Sequence, residues 1–257
     1  MTNSTLIDNI ANYNKLRSVN PTLKVIFAIS SLFVSIFSKN FIVPLLITII
    51  MSFVIIFVAK IPKNIYGKLL AIPIVFGIIT FLMMTFLFGT DIYTSFDFFG
   101  LTINLLKDGF SLGLLTFFKM LGGVSCTLFL ALTTPFTELF YILKRSKMPK
   151  NMLEIAMMMY RYIFMLLEEA LTMENSQKTR LGYKNLKTSY RSLGLLTGSL
   201  FIKALDKGDI IYNSLNSRGY DGNLMFFGDI AYPRTFSIVL LGVFELMLLS
   251  LNYIKIF

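Results

Sequence analysis

Residues 69–90 read LLAIPIVFGIITFLMMTFLFGT and contain no charged side chain. At 1.5 Å rise per residue, about 20 apolar residues cross a hydrocarbon core roughly 30 Å thick. This run is long enough. Residues 40–59 are equally free of charge. One such run can be the core helix of a soluble domain, but two of this length point to a bilayer. The bulk composition agrees: 55% of the 257 residues are hydrophobic and only 15% are charged. A soluble domain is nearer about 25% charged. The mean hydropathy is +0.71.

Working outward, the apolar pattern predicts membrane helices at 22–38, 41–59, 69–89, 110–133 and 236–255. The first two are separated by Lys39 and Asn40 alone, which reads as a tight hairpin or as one long tilted helix broken near Pro44. Cytoplasmic loops carry an excess of Lys and Arg. The loop 60–68 holds Lys60, Lys63 and Lys68 and no acid, whereas 90–109 holds Asp91, Asp97 and Asp108 against Lys107. Residues 134–235 hold 14 Lys/Arg and 9 Asp/Glu. Placing 60–68 and 134–235 inside and 90–109 outside requires an odd number of spans and a cytoplasmic N-terminus. Lys15, Arg17 and Lys24 agree with that. The net charge of +10 is then mostly a topology signal, and a nucleic-acid partner is not expected. The expectation is an all-α multi-pass protein of the cell membrane. It has four spans in 1–133, a cytoplasmic module in 134–235 and a last span in 236–257. Residues 1–20 are polar and show no cleavable leader pattern.

Chemical equipment is sparse. There is no His, and the single Cys126 sits in an apolar run. The commonest metal ligand and general base are therefore missing, and no disulfide or metal framework can be built. No phosphate-binding G-x-x-x-x-G-K-[ST] loop occurs. A membrane-embedded enzyme is a poor fit, and no cofactor is expected on this chain.

The segment 134–235 is too polar to span, yet it is patterned as helices. Thr134-Pro135 reads as an N-cap with Pro at the first helical position and Glu138 in the first turn. Lys144, Arg145 and Lys147 suit the end of that helix. Pro149 restarts the chain into a long helix, about 150–181, with Gly182 as its stop. Met157, Met158, Met159, Met165 and Met173 make it Met-rich, which suits either gap-filling or an adaptable docking surface. A third helix is expected at about 195–217, with Phe201, Ala204, Leu205, Gly208, Tyr212 and Leu215 on one stripe. It ends in Asn216-Ser217-Arg218-Gly219-Tyr220-Asp221-Gly222. Gly219 and Gly222 tolerate φ > 0, so the chain turns and presents Arg218 on the last turn. Arg218 there either caps the helix or reaches a carboxylate on another protein.

Two charges fall inside spans, Lys119 and Glu245. Such residues are costly in lipid. They are expected to pair with each other; otherwise Lys119 snorkels and Glu245 meets a partner subunit.

The ordered run Leu132-Thr133-Thr134-Pro135, Glu138-Leu139, Met148-Pro149, Tyr160-Arg161-Tyr162-Ile163-Phe164 and Leu167-Glu168-Glu169-Ala170 resembles the CbiQ/EcfT family. Gly198-Ser199-Leu200-Phe201 and Arg218-Gly219-Tyr220-Asp221-Gly222 continue the match. These are the transmembrane T components of energy-coupling factor (ECF) transporters, a class of ABC importer. The resemblance covers about 120–225 well, and its Gly-Tyr-Asp-Gly ending is closest to the cobalt/nickel branch. It implies a non-enzymatic coupling subunit that works with two ABC-type ATPase subunits, which bind the ATP, and with a substrate-binding membrane S component. In that family two short Ala-Arg-Gly or Ala-Arg-Ser motifs end cytoplasmic coupling helices, and their arginines dock into the ATPases. The second motif maps onto Ser217-Arg218-Gly219. The first maps onto Thr179-Arg180-Leu181, where only the Arg is intact. Thr134, Pro135, Pro149, Tyr220 and Asp221 would support the coupling helices. A stand-alone secondary transporter would show inverted repeats with broken helices, and none is visible. The permease of a conventional ABC importer and a T component for vitamins are the nearest alternatives.

Overall fold

The computed structural model describes residues 10–88, 92–98, 101–146, 148–220 and 235–252. Helices α1 (Pro21–Phe37), α2 (Ile42–Phe53), α3 (Lys63–Leu87), α4 (Lys107–Thr133) and α8 (Thr235–Asn252) correspond to the five expected spans. Between α4 and α8 lie α5 (Phe136–Arg145), α6 (Lys150–Thr179) and α7 (Leu186–Ser217). The chain divides into two compact units, residues 1–142 with 230–257, and residues 143–229. The division falls within α5.

In the first unit α4 is the hub, packing against α1, α2 and α3, while α8 lies on α1. The core is built from Val43, Ile47, Met51 and Ile55, facing Cys126, Phe129 and Leu132, with Ala28 and Leu248 joining. In contrast, α3 turns Ile72, Val75, Phe76, Ile79 and Met83 outward. Only 11% of its apolar window is buried, against 28% for α4. A soluble core helix would be mostly buried, and an apolar face this wide exposed to water would aggregate. Facing lipid, it meets a solvent of its own kind. Polar side chains take the inside. Ser31, Ser35, Ser38, Ser125 and Thr133 are buried, and Ser125 and Thr133 donate to carbonyls one turn back on their own helix. This satisfies hydroxyls where no water is available.

Helices α1 and α2 are separate, and the break lies at Ser38–Asn40 rather than at Pro44. Ser38 is extended, with ψ 137°. Its hydroxyl donates to the Asn40 carbonyl at 2.6 Å and accepts from the Asn40 N–H. Pro44 lies in the first turn of α2, where a missing N–H breaks no helical bond. A wide turn at Val54–Val58 prolongs α2. Lys60 then adopts φ 56°, and α3 begins at Lys63, ahead of the apolar run that signals it. The segment between α3 and α4 is more than a loop. Strands β1 (Ile92–Phe98) and β2 (Leu101–Leu106) pair antiparallel, with a bulge between Ile92 and Thr94.

At Gly122, α4 comes close to both α1 and α2. A Cβ there would lie 2.5 Å from Ser35 Oγ on α1 and 3.2 Å from the Pro44 carbonyl on α2. At Gly123, the next residue round α4, a Cβ would meet nothing within 4 Å. Gly122→Leu should therefore lower the thermal midpoint of the isolated chain in detergent, since overpacking costs about 1–3 kcal/mol. Gly123→Leu should leave it unchanged. Equal midpoints for the two variants would contradict the packing described.

Candidate functional site

In the second unit α6 and α7 form an antiparallel hairpin tied at three levels. Near the elbow the Gln177 side-chain amide donates to the Ser192 carbonyl at 3.0 Å. At mid-length Lys203 Nζ meets Glu169 Oε2 at 2.5 Å. That hydrogen bond, reinforced by the charge of Lys203, holds the Glu169 carboxyl below its ordinary pKa. At the far end the Tyr220 hydroxyl donates to Glu154 Oε2 at 3.1 Å.

The elbow is locked by its own side chains. The Tyr183 hydroxyl donates to Gln177 Oε1, and the Ser192 hydroxyl donates to the Gly182 carbonyl. Asn185 and Thr188 form a capping box at the start of α7. That box explains why α7 begins at Leu186, well before the expected residue 195: residues 186–194 carry little apolar periodicity, and a reciprocal cap starts the helix instead.

The ends of the two helices are built alike. Arg180 follows α6 with φ −90° and ψ 15°, and Arg218 follows α7 with φ −96° and ψ 10°. Each is succeeded by a residue of positive φ, Leu181 at 58° and Gly219 at 75°. The next N–H then reaches back five residues, from Gly182 to the Gln177 carbonyl at 2.8 Å and from Tyr220 to the Leu215 carbonyl at 3.1 Å. This is the 6→1 bond of a Schellman stop. The preceding hydroxyls both fold back onto their own helices, Thr179 donating to Ser176 O three residues back and Ser217 to Asn213 O four residues back. Both arginines are exposed. The hairpin's pairing puts them at opposite ends, roughly 40 Å apart along some 26 residues of helix.

Gly182 is therefore not the left-handed residue that stops α6. Leu181 is, at a steric cost that Gly would avoid. Gly182 is needed for space, because a Cβ there would lie 2.6 Å from Ser192 Oγ and 2.9 Å from the Gln177 carbonyl. The local sequence of the first motif departs from Ala-Arg-Gly, yet its backbone matches the second. Only the structure reveals that equivalence.

Supporting positions are mixed. Pro149 stands at the N-cap of α6. The Thr134 hydroxyl does not cap α5: it is buried without a hydrogen-bond partner, and the Pro135 carbonyl accepts the first N–H groups, from Glu138 and Leu139. The turn is held from elsewhere. Asn14 Nδ2 donates to the carbonyls of Leu132 and Thr133 at 3.2 Å each. Lys24, 3% exposed, donates to the Thr133 carbonyl at 3.1 Å and pairs with Glu138 at 3.4 Å. Sequence reasoning read Lys24 only as a topology charge. Its position at the start of an apolar helix, with Glu138 in the first turn of another, was the available signal. Asp221 lies outside the described residues.

The expected pairing of Lys119 with Glu245 does not form. Glu245 Oε1 accepts from Ser30 at 2.9 Å and from Ser31 at 2.6 Å, both on α1. Lys119 lines an open groove between α1 and α4. On the α7 stripe, Phe201, Leu205 and Tyr212 are more than half exposed. Among the Met residues of α6, Met157 is buried and Met159 is exposed, so the cluster is not simply core. Among the described residues no group of His, Cys, Asp and Glu could hold a metal ion.

A family model described as the cobalt transport protein CbiQ matches residues 12–226. An uncharacterized protein of Methanocaldococcus jannaschii, MJ1089, is 47% identical over 97% of this chain and 93% of its own length. A putative fused cobalt transport protein CbiMQ of Methanocorpusculum labreanum is 34% identical over 84% of this chain, which spans 37% of that longer protein. The cobalt transport protein CbiQ of Salmonella typhimurium is 35% identical over 42% of this chain and 48% of its own.

Proposed function

The chain belongs to the CbiQ family of cobalt transport proteins, and from that premise we propose that it is the membrane coupling subunit of an ECF-type cobalt importer. Two ABC-type ATPase subunits drive it, and a separate membrane subunit selects the metal ion. The observation that carries this reading is the pair of matched helix ends. Two exposed arginines sit on the same Schellman turn at opposite ends of one hairpin, as two handles for two ATPase subunits. A planar guanidinium on a fixed helix end suits a carboxylate on a docking surface.

In this reading five helices cross the membrane, with the N-terminus and the hairpin on the cytoplasmic side. ATP binding closes the ATPase pair and moves the handles. The chain passes that motion through α5 to the membrane helices, which change the accessibility of the metal-binding subunit. This chain contributes positions and leverage; cobalt is cargo, and ATP stays on the partners.

Reconstitution tests the reading. The chain, its ATPases and the metal-binding membrane subunit in sealed vesicles should accumulate radiolabelled cobalt only with ATP. Omitting this chain should reduce accumulation to the background of empty vesicles. Full ATP-driven uptake without it, or uptake by this chain alone, would overturn the assignment.

A further inference from the structure

Lys119 sits near the middle of α4, which runs from Lys107 to Thr133. At 1.5 Å per residue it is about 18 Å from one end and about 21 Å from the other. A four-carbon stem does not carry an ammonium across that distance to the headgroups. At such depth an ionised side chain is expensive unless it meets an opposite charge or water. Among the described residues no carboxylate forms an ion pair with it, and Glu245 is held through Oε1 by Ser30 and Ser31 on α1.

The surroundings are shaped for a helix. Lys119 lines a groove of about 360 Å³ between α1 and α4, with Leu32 and Ile36 on one wall and Gly123, Thr127 and Leu128 on the other. Lys119, Gly123 and Thr127 follow at four-residue intervals on one face of α4. Small residues at that spacing let a second backbone approach closely in lipid. The Thr127 hydroxyl is already turned onto its own helix, donating to the Gly123 carbonyl at 3.0 Å, so it leaves a low, apolar floor. The space over Gly123 is open, whereas that over Gly122 is filled by α1 and α2. The small residue at 123 is therefore not required by the chain's own packing.

We propose that this groove seats one apolar helix of a separate membrane subunit, and that this helix presents an aspartate or glutamate to Lys119 at mid-membrane. The proposal rests on the reading above that such a subunit accompanies the chain. A second copy of this chain is the wrong occupant. Its described mid-span carboxylate, Glu245, is 9% exposed and held on α1, and a symmetric contact would bring two Lys119 ammonium groups together.

The test uses the complete complex in lipid nanodiscs, with a photo-crosslinking amino acid at Thr127 and a control at Ile72 on α3. The expected result is a crosslink from Thr127 to one helix of the metal-binding membrane subunit, within a turn or two of an acidic residue, and none from Ile72. Lys119→Met and Gly123→Leu should each reduce retention of that subunit at least tenfold while the ATPases stay bound. Crosslinks from Thr127 only to lipid or to a second copy of the chain, or undiminished retention in Lys119→Met, would overturn the proposal. If the membrane subunit is retained but never crosslinks at Thr127, this inference alone falls. If the wild-type chain retains ATPases and no membrane subunit at all, the reading it rests on falls with it.

Discussion

Arg218→Glu should release the ATPase subunits and abolish ATP-driven cobalt uptake, while the protein still inserts and folds. Arg218 is exposed at the end of α7, and the left-handed Gly219 with its 6→1 closure fixes where the side chain departs. Removing one partner of a desolvated interfacial charge pair costs on the order of 2–5 kcal/mol. Every 1.4 kcal/mol is tenfold in affinity, so the lower bound is already about 30-fold weaker association. A purely local capping role predicts far less, since a cation at a helix C-terminus contributes about 0.3–1 kcal/mol. Arg218→Gln separates the two. It keeps a helix-compatible side chain and removes the charge, so it should behave nearly like Arg218→Glu in ATPase co-purification and like wild type in helix content. Arg180→Glu should produce the same defect at the other end of the hairpin. ATPase binding and uptake at wild-type level in Arg218→Glu would remove the basis for the proposed docking.

The second large effect is expected at the turn between α4 and α5. Glu138→Leu strips Lys24 of its carboxylate and leaves the ammonium facing the Thr133 carbonyl. Breaking a buried pair from one side costs about 3–5 kcal/mol, because the remaining charge is uncompensated. Glu138 is 18% exposed at its side chain, so some screening brings the expected loss toward the lower figure. Lys24→Met should cost less, since the carboxylate it orphans can reach solvent. The double variant Lys24→Met/Glu138→Leu should recover much of the stability, as apolar replacements of buried pairs often do. The readout is a double-mutant cycle on the thermal midpoint in detergent. Additive losses would show that the two side chains act independently.

The apolar pattern placed four of the five expected spans within a few residues, because composition over some 20 positions decides whether a helix can live in lipid. The exception is the start of α3. There the helix continues through Lys63, Asn64 and Lys68, which an apolar count cannot register. The helix ends at Arg145 and Thr179 were equally visible, as were the arginines at 180 and 218. Basic residues, Gly and Pro punctuate helices locally.

What stayed hidden depends on partners distant in the chain. Nothing near residue 245 says that its carboxylate will be held by Ser30 and Ser31, and nothing near residue 24 announces Thr133 and Glu138. Two mid-span charges of opposite sign invited a pairing that the packing refuses, because α8 lies against α1 while Lys119 opens onto the groove between α1 and α4. The likeness between Thr179-Arg180-Leu181 and Ser217-Arg218-Gly219 was blurred in sequence and close in backbone. By itself, then, the sequence determined that this is a helical membrane protein, where most of its helices lie to within a few residues and which arginines end two of them. Those properties follow from local composition and helix-end chemistry. The tertiary structure alone decided which buried charges are satisfied, which apolar faces stay open and how far apart the two arginines stand, since each is fixed by which helix faces pack together.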